Sequence, residues 1–184
     1  MSRDAVVIAR FDTPLGLVEL RVTGGDAVSV EVRAVNSMPE LPPGQRVDAA
    51  ARFDARITAN APDVCPVFAF GVEGERDFSP ESGQFLEAAV LEKGFARLGL
   101  GVRDVEWMLS RGVALGRLPP AFRSASADPG DPRWLVQYTP DGLRVSTGPL
   151  APGETIDCPF AVAFVTAVAD DDVSTWFAVD MMLP

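Results

Sequence analysis

Alternation of large apolar with charged residues constrains this chain's fold more than any other feature. Val18, Leu20 and Val22 alternate with Glu19 and Arg21, and Val28, Val30 and Val32 alternate with Ser29, Glu31 and Arg33. A period of two places the valines on one face and the charges on the other, which describes a strand with one wet side. The segment ARFDARITA repeats the pattern, with Phe53, Ala55 and Ile57 set against Arg52, Asp54 and Arg56. An ionic outer face suits an antiparallel sheet, because parallel sheets are covered on both sides. Between the first two runs, the glycines of TGGD can take positive φ, so a tight hairpin is expected there with both valine rows on one face.

The last sixty residues carry the same signal. WLVQYTPDGLRVSTG has two short β-prone runs around Pro140-Asp141-Gly142, a strong turn signal, so a second hairpin is expected. From Ile156 the apolar residues fall on even positions: Ile156, Cys158, Phe160, Val162, Phe164 and Val168. After the acidic turn ADDD, the run VSTWFAVDMML is read as one more strand, with Phe177, Val179, Met181 and Leu183 facing the core, closing a terminal hairpin.

The middle changes period. SPESGQFLEAAVLEKGFARLG offers Ser79 as an N-cap, Pro80 at the first helical position, an early Glu81, and Leu86, Ala89 and Val90 at helical spacing. VRDVEWMLSRG continues with Val102, Val105, Met108 and Leu109 before Gly112. One or two helices are therefore expected as an insertion over about 79–112. From about 118 to 132, LPPAFRSASADPGDP is rich in Pro, Ser, Ala and Gly without periodicity and reads as an irregular loop.

LAPGETIDCPFAVAF, from Leu150 to Phe164, reads as a Pro-Gly corner entering a core strand. LPPGQRVDAAARF, from Leu41, echoes it with Leu, Pro-Gly, an aliphatic residue and Asp in register, which shared turn chemistry accounts for. Over these fifteen or so residues the entry resembles those of many immunoglobulin-like sandwiches, and the resemblance extends to fold class only. The expected architecture is mainly β: an antiparallel β-sandwich, immunoglobulin-like in type, with one or two inserted α-helices. The 184 residues fit a single domain spanning 1–184, able to bury roughly 70% of the surface its unfolded chain exposes.

Charge narrows the partners. The net charge is −10, and residues 124–184 carry nine acidic but only two basic side chains. Such a field repels phosphate backbones and anionic headgroups, so neither nucleic acid nor a membrane surface is an expected partner. A protein is the expected one, either a basic protein or a second copy of this chain. The start MSRDAVVIARFDTPLGLVEL has only a short apolar run broken by Arg10 and Asp12, unlike a secretory signal, which places the chain in the cytoplasm by expectation.

The chain contains no histidine. That removes Ser-His-Asp and Cys-His catalysis, His-ligated zinc and imidazole proton shuttles together. No phosphate-binding GxxxxGK[ST] is present, and GLGVRD follows a helix-like pattern without a third glycine, which argues against dinucleotide binding. Cys65 and Cys158 each precede a proline, which pushes the cysteine towards extended geometry and the proline towards a strand start or an edge; both are read as buried free thiols in strands. No cofactor is expected. A divalent cation is the one candidate, held by Asp170, Asp171 and Asp172 of the acidic turn with Asp128 and Asp131 of the irregular loop, all hard oxygen donors. For an interface, Trp176, Asp180 and Met182 share the face opposite Phe177 and Val179 in the strand reading, and Trp134 is a further aromatic anchor.

The functional expectation is a non-catalytic cytoplasmic module for protein binding or assembly, presenting a sheet face or edge to a protein partner. Two alternatives stand beside it: an acidic inhibitor or immunity-type protein against a basic target, and a carboxylate- or divalent-metal-dependent hydrolase using the same aspartates.

Overall fold

A computed structural model describes residues 5–83, 85–104, 135–166 and 173–184. The alternating runs become β1 (Val6–Thr13), β2 (Gly16–Val22), β3 (Val28–Val35) and β4 (Ala49–Ala59). There follow β5 (Val67–Val72), β6 (Ser79–Gly83), β7 (Leu86–Lys93), β8 (Ala96–Arg103), β9 (Leu135–Thr139), β10 (Gly142–Ser146), β11 (Thr155–Val165) and the helix α1 (Ser174–Met182). All strand pairs are antiparallel. The first sheet runs β1-β2-β5-β10-β9 and the second β3-β4-β11-β8-β7-β6, which is the expected antiparallel β-sandwich.

The core lies where the even-numbered and odd-numbered apolar rows meet between the sheets. Val18, Leu20 and Val22 of β2 face Phe53, Ala55 and Ile57 of β4 and Ile156, Cys158, Phe160, Val162 and Phe164 of β11. Phe160 is the centre of an aromatic cluster, with ring centroids 4.9 Å from Phe68 and 5.4 Å from Phe70. The hairpin around Pro140-Asp141-Gly142 forms as expected, joining β9 to β10 with Gly142 paired to Thr139.

Three sequence expectations are corrected. The TGGD segment does not close a hairpin within one sheet. β2 pairs with β1 and β5 while β3 pairs with β4 in the other sheet, and a short 3-10 turn over Gly25–Ala27 carries the chain across. The two valine rows still face one core, but from opposite walls.

The helical insertion expected from residue 79 is instead three strands as far as Arg103, whereas residues 105–112 and the expected loop at 118–132 lie outside the described residues. The cause is burial on both faces. Ala89 and Leu91 of β7 point into the inter-sheet core, and Leu86 and Ala88 point outward beneath α1. A strand covered on both sides loses its period of two and imitates helical spacing. Pro80, read as a helix start, sits in the edge strand β6, where a missing N–H is tolerated.

The third correction is the terminal strand, which is α1. Ser174, Thr175, Ala178, Val179 and Met182 are its buried residues, a helical stripe, and Met181, assigned to the core, is half exposed. Val, Thr, Trp and Phe favour strands on propensity, and packing on the sheet overrides it here.

Candidate functional site

The second sheet's outer face is shaped to receive α1. A Cβ built on Gly99 would meet Thr175 Cβ at 3.0 Å, and one on Gly101 would meet Val179 Cγ1 at 2.1 Å. These glycines of β8 let the helix settle directly on the strand. Arg103, one residue pair further on, is buried and closes the helix C-terminus. Its Nη1 donates to Asp180 Oδ1 at 2.7 Å, and its Nη2 donates to the carbonyls of Asp180 (3.0 Å) and Leu183 (2.6 Å). Arg52 Nη1 adds a bond to Met182 O at 3.1 Å. Two guanidinium groups thus bond the carbonyls of Asp180, Met182 and Leu183 and meet the negative end of the helix dipole. At the other end, Ser174 Oγ donates to Gln45 Oε1 (2.7 Å) and accepts from the Arg46 amide (3.1 Å).

This arrangement relocates the residues singled out in the sequence. Trp176 lies over Gly83 of β6, where an added Cβ would come within 2.4 Å of its Cζ2. Asp180 is the Arg103 partner, and Met182 is buried in the small core beneath α1. All three hold the helix to the sheet. Trp134 and the five aspartates Asp128, Asp131, Asp170, Asp171 and Asp172 lie outside the described residues. Among the described residues there is no group of three or more His, Cys, Asp or Glu side chains placed to hold a metal. Arg103 was missed in the sequence because only its register beside the helix gives it a role.

Cys158 is buried in β11, and burial raises its pKa well above the usual thiol value, so the thiol stays protonated. Cys65 is exposed and precedes β5 rather than lying in a strand; Pro66 is just before the strand start, as expected. Pro159 departs from the edge expectation. It sits in β11, between β4 and β8, one residue before the β8 pairing starts at Phe160, a position where no donor to β8 is yet needed.

On the first sheet's outer face Glu19 is nearly buried between two arginines. It accepts from Arg10 Nε (3.0 Å) and Arg21 Nε (2.8 Å). The bond from Arg21 is the largest cause of its lowered pKa. Asp48 is lowered likewise, chiefly by the hydroxyl of Thr166 at 2.6 Å. Both groups titrate below their unfolded values of 4.5 and 3.8, so they stabilise the fold above those values and lose that contribution as pH falls through the folded ones. Glu19→Gln is therefore expected to cost about 1 kcal/mol at pH 7 and almost nothing at pH 2, measured as urea midpoints across that range. An equal cost at both pH values contradicts the assignment.

The two open sides of the sandwich are finished differently. On one, Tyr138 of β9 donates to Glu87 of β7, tying the sheets together. Burial first, and then this bond, push the tyrosine pKa up. The edge strand β6 there is also blunted, since it contains Pro80. On the other side, β1 carries a register shift between Val7 and Ala9. The remaining edge, β3, is unlike these. It is eight residues long, lacks proline, and keeps one register on β4 from Val28↔Ala59 to Val35↔Arg52.

The phase of the ladder shows which β3 groups face outward. The Asn60 amide donates to Ala27 O at 2.8 Å. With constant register, the odd-numbered β3 residues bond to β4, and Val28, Val30, Val32 and Ala34 aim their N–H and C=O groups away from it. Among the described residues no strand pairs with that edge. Ser29, Glu31, Arg33 and Ala34 are exposed.

The chain matches no family model, no curated protein and no solved structure. Its candidate site rests on its own geometry. No helix among the described residues is long and apolar enough to cross a membrane.

Proposed function

We propose that this chain is a non-catalytic cytoplasmic module for protein binding or assembly, and that it offers a sheet edge rather than a sheet face to its protein partner. The observation that carries this is β3: among the other edge strands β6 contains proline and β1 shifts register, while β3 is eight residues long, regular and without a paired strand on its outer side among the described residues. An open edge of that length is a template for another strand, whose main chain would bond to it while side chains set the choice of partner. The missing histidine supports a role without imidazole catalysis, and burial of Cys158 takes that thiol out of consideration as a nucleophile. The outer face of the second sheet is less suited to a partner, because α1 already occupies much of it.

The test is native mass spectrometry of the full chain purified gently from its source, beside Val32→Pro. Val32 directs its N–H outward, so proline removes an edge donor without removing a bond to β4. The expected result is a bound protein chain at fixed stoichiometry that the variant loses. A monomer with no protein bound, or a complex indifferent to Val32→Pro, contradicts the reading.

A further inference from the structure

Resting on that reading, we infer that the partner of the β3 edge is a second copy of the chain, joined antiparallel about a two-fold axis through Val32. Glu31 and Arg33 lie on the outer face of β3, two residues apart and opposite in sign. In an isologous antiparallel pair centred on Val32, Glu31 of one copy faces Arg33 of the other, and the reverse contact follows by symmetry.

The backbone permits this register. Val30, Val32 and Ala34 have outward N–H and C=O groups, so Val32↔Val32 and the two Val30↔Ala34 pairs become hydrogen-bonded pairs, about six bonds in all. Glu31↔Arg33 is then a non-hydrogen-bonded pair, the type in which side chains approach most closely. The neighbouring centres are worse. Centring on Glu31 or on Arg33 opposes like charges at the axis, which destabilises a strand pair.

The charge order inside the monomer leads to the same register. Across the second sheet Asp157 of β11 faces Arg56 of β4, with Nε···Oδ1 at 2.8 Å, and Arg56 faces Glu31 of β3. The Asp157 carboxylate, and to a lesser degree Glu31, raise the pKa of that exposed guanidinium. One row on, Asp54 of β4 faces Arg33. Joining two copies at Val32 continues the first row as Asp157, Arg56, Glu31, then Arg33 and Asp54 of the second copy. The signs alternate without a break. On the inner face the half-buried Val30 and Val32, which pack on the core, gain the same apolar row from the other copy. The result is one continuous sheet through two sandwiches.

Sedimentation equilibrium of the full chain decides it, with Glu31→Arg, Arg33→Glu, the double exchange of both charges, and Val32→Pro. Thermal melting of each variant checks folding. The wild type is expected to sediment as a dimer, each single charge reversal to raise the dissociation constant about tenfold or more, the double exchange, which leaves like charges facing Arg56 and Asp54 within each copy, to recover part of the loss, and Val32→Pro to abolish the dimer. A dimer that survives Val32→Pro, or single reversals that the double exchange fails to rescue, overturns the inference. A monomeric wild type also overturns it. If that monomer carries a different protein lost on Val32→Pro, the binding-module reading stands without self-pairing; if it carries none, both fall.

Discussion

Phe160→Ala is expected to lower stability by about 3–5 kcal/mol, the range for removing a fully buried phenylalanine. Phe160 has no solvent exposure and contacts the rings of Phe68 and Phe70, which come from the opposite sheet. Phe70 in turn meets Phe53 edge-on at 6.3 Å, so the cavity would open in the middle of a ring cluster that cannot close by moving one residue. The measurement is urea unfolding, with a lower midpoint and an unchanged slope. Phe160→Leu should cost about half as much or less, because much of the volume is retained. A cost below about 1 kcal/mol for the alanine variant would place the core elsewhere.

Arg103→Ala is expected to cost about 2–3 kcal/mol, because several carbonyls lose a charged donor and a partly exposed ion pair is broken. The side chain is 10% exposed and bonds Asp180 together with carbonyls in the last turn of α1 and beyond. Without it those carbonyls lose their donor where they are covered, and the Asp180 carboxylate, a third exposed, is left to water. Arg103→Lys should recover only part of the loss, since an ammonium lacks the fork that reaches several oxygens together. Guanidinium unfolding curves of the three proteins, recorded by near-ultraviolet circular dichroism, separate these cases. Equal stability of alanine and wild type would show that α1 is held by its apolar contacts alone.

The strands legible in the sequence are those with one wet face. β2, β3 and β4 announce themselves through Glu19, Glu31, Arg33, Arg52 and Arg56, and β11 through its large even-numbered residues. β7 and β8 do not, because α1 covers what would be their wet face and the charges needed for alternation disappear. The helix was hidden for the complementary reason. It buries Ser174, Thr175 and Ala178, small residues suited to Gly99 and Gly101, so its apolar stripe is faint until the strand beneath it is known.

The echo of two Pro-Gly corners has a structural counterpart. Gly44 (φ 88°) and Gly153 (φ 78°) both take the left-handed conformation their turns require, and the chain enters adjacent antiparallel strands after them. The site was half visible. Glu31 and Arg33 mark a wet face in the sequence, but that β3 is an edge, and which of its amides point outward, depends on the pairing order of two sheets. Such order is a tertiary property, set by which rows bury against one another rather than by any local pattern.

The most direct test of the account is hydrogen exchange along β3, read residue by residue as the protein is diluted. The amides of Ser29, Glu31 and Arg33 bond to β4 and serve as internal controls that stay protected at every concentration. The amides of Val30, Val32 and Ala34 are predicted to be protected in concentrated protein and to lose that protection together on dilution. Exchange of those three at the free rate at every concentration, with the controls protected, would contradict the claim that β3 pairs with a second copy of the chain.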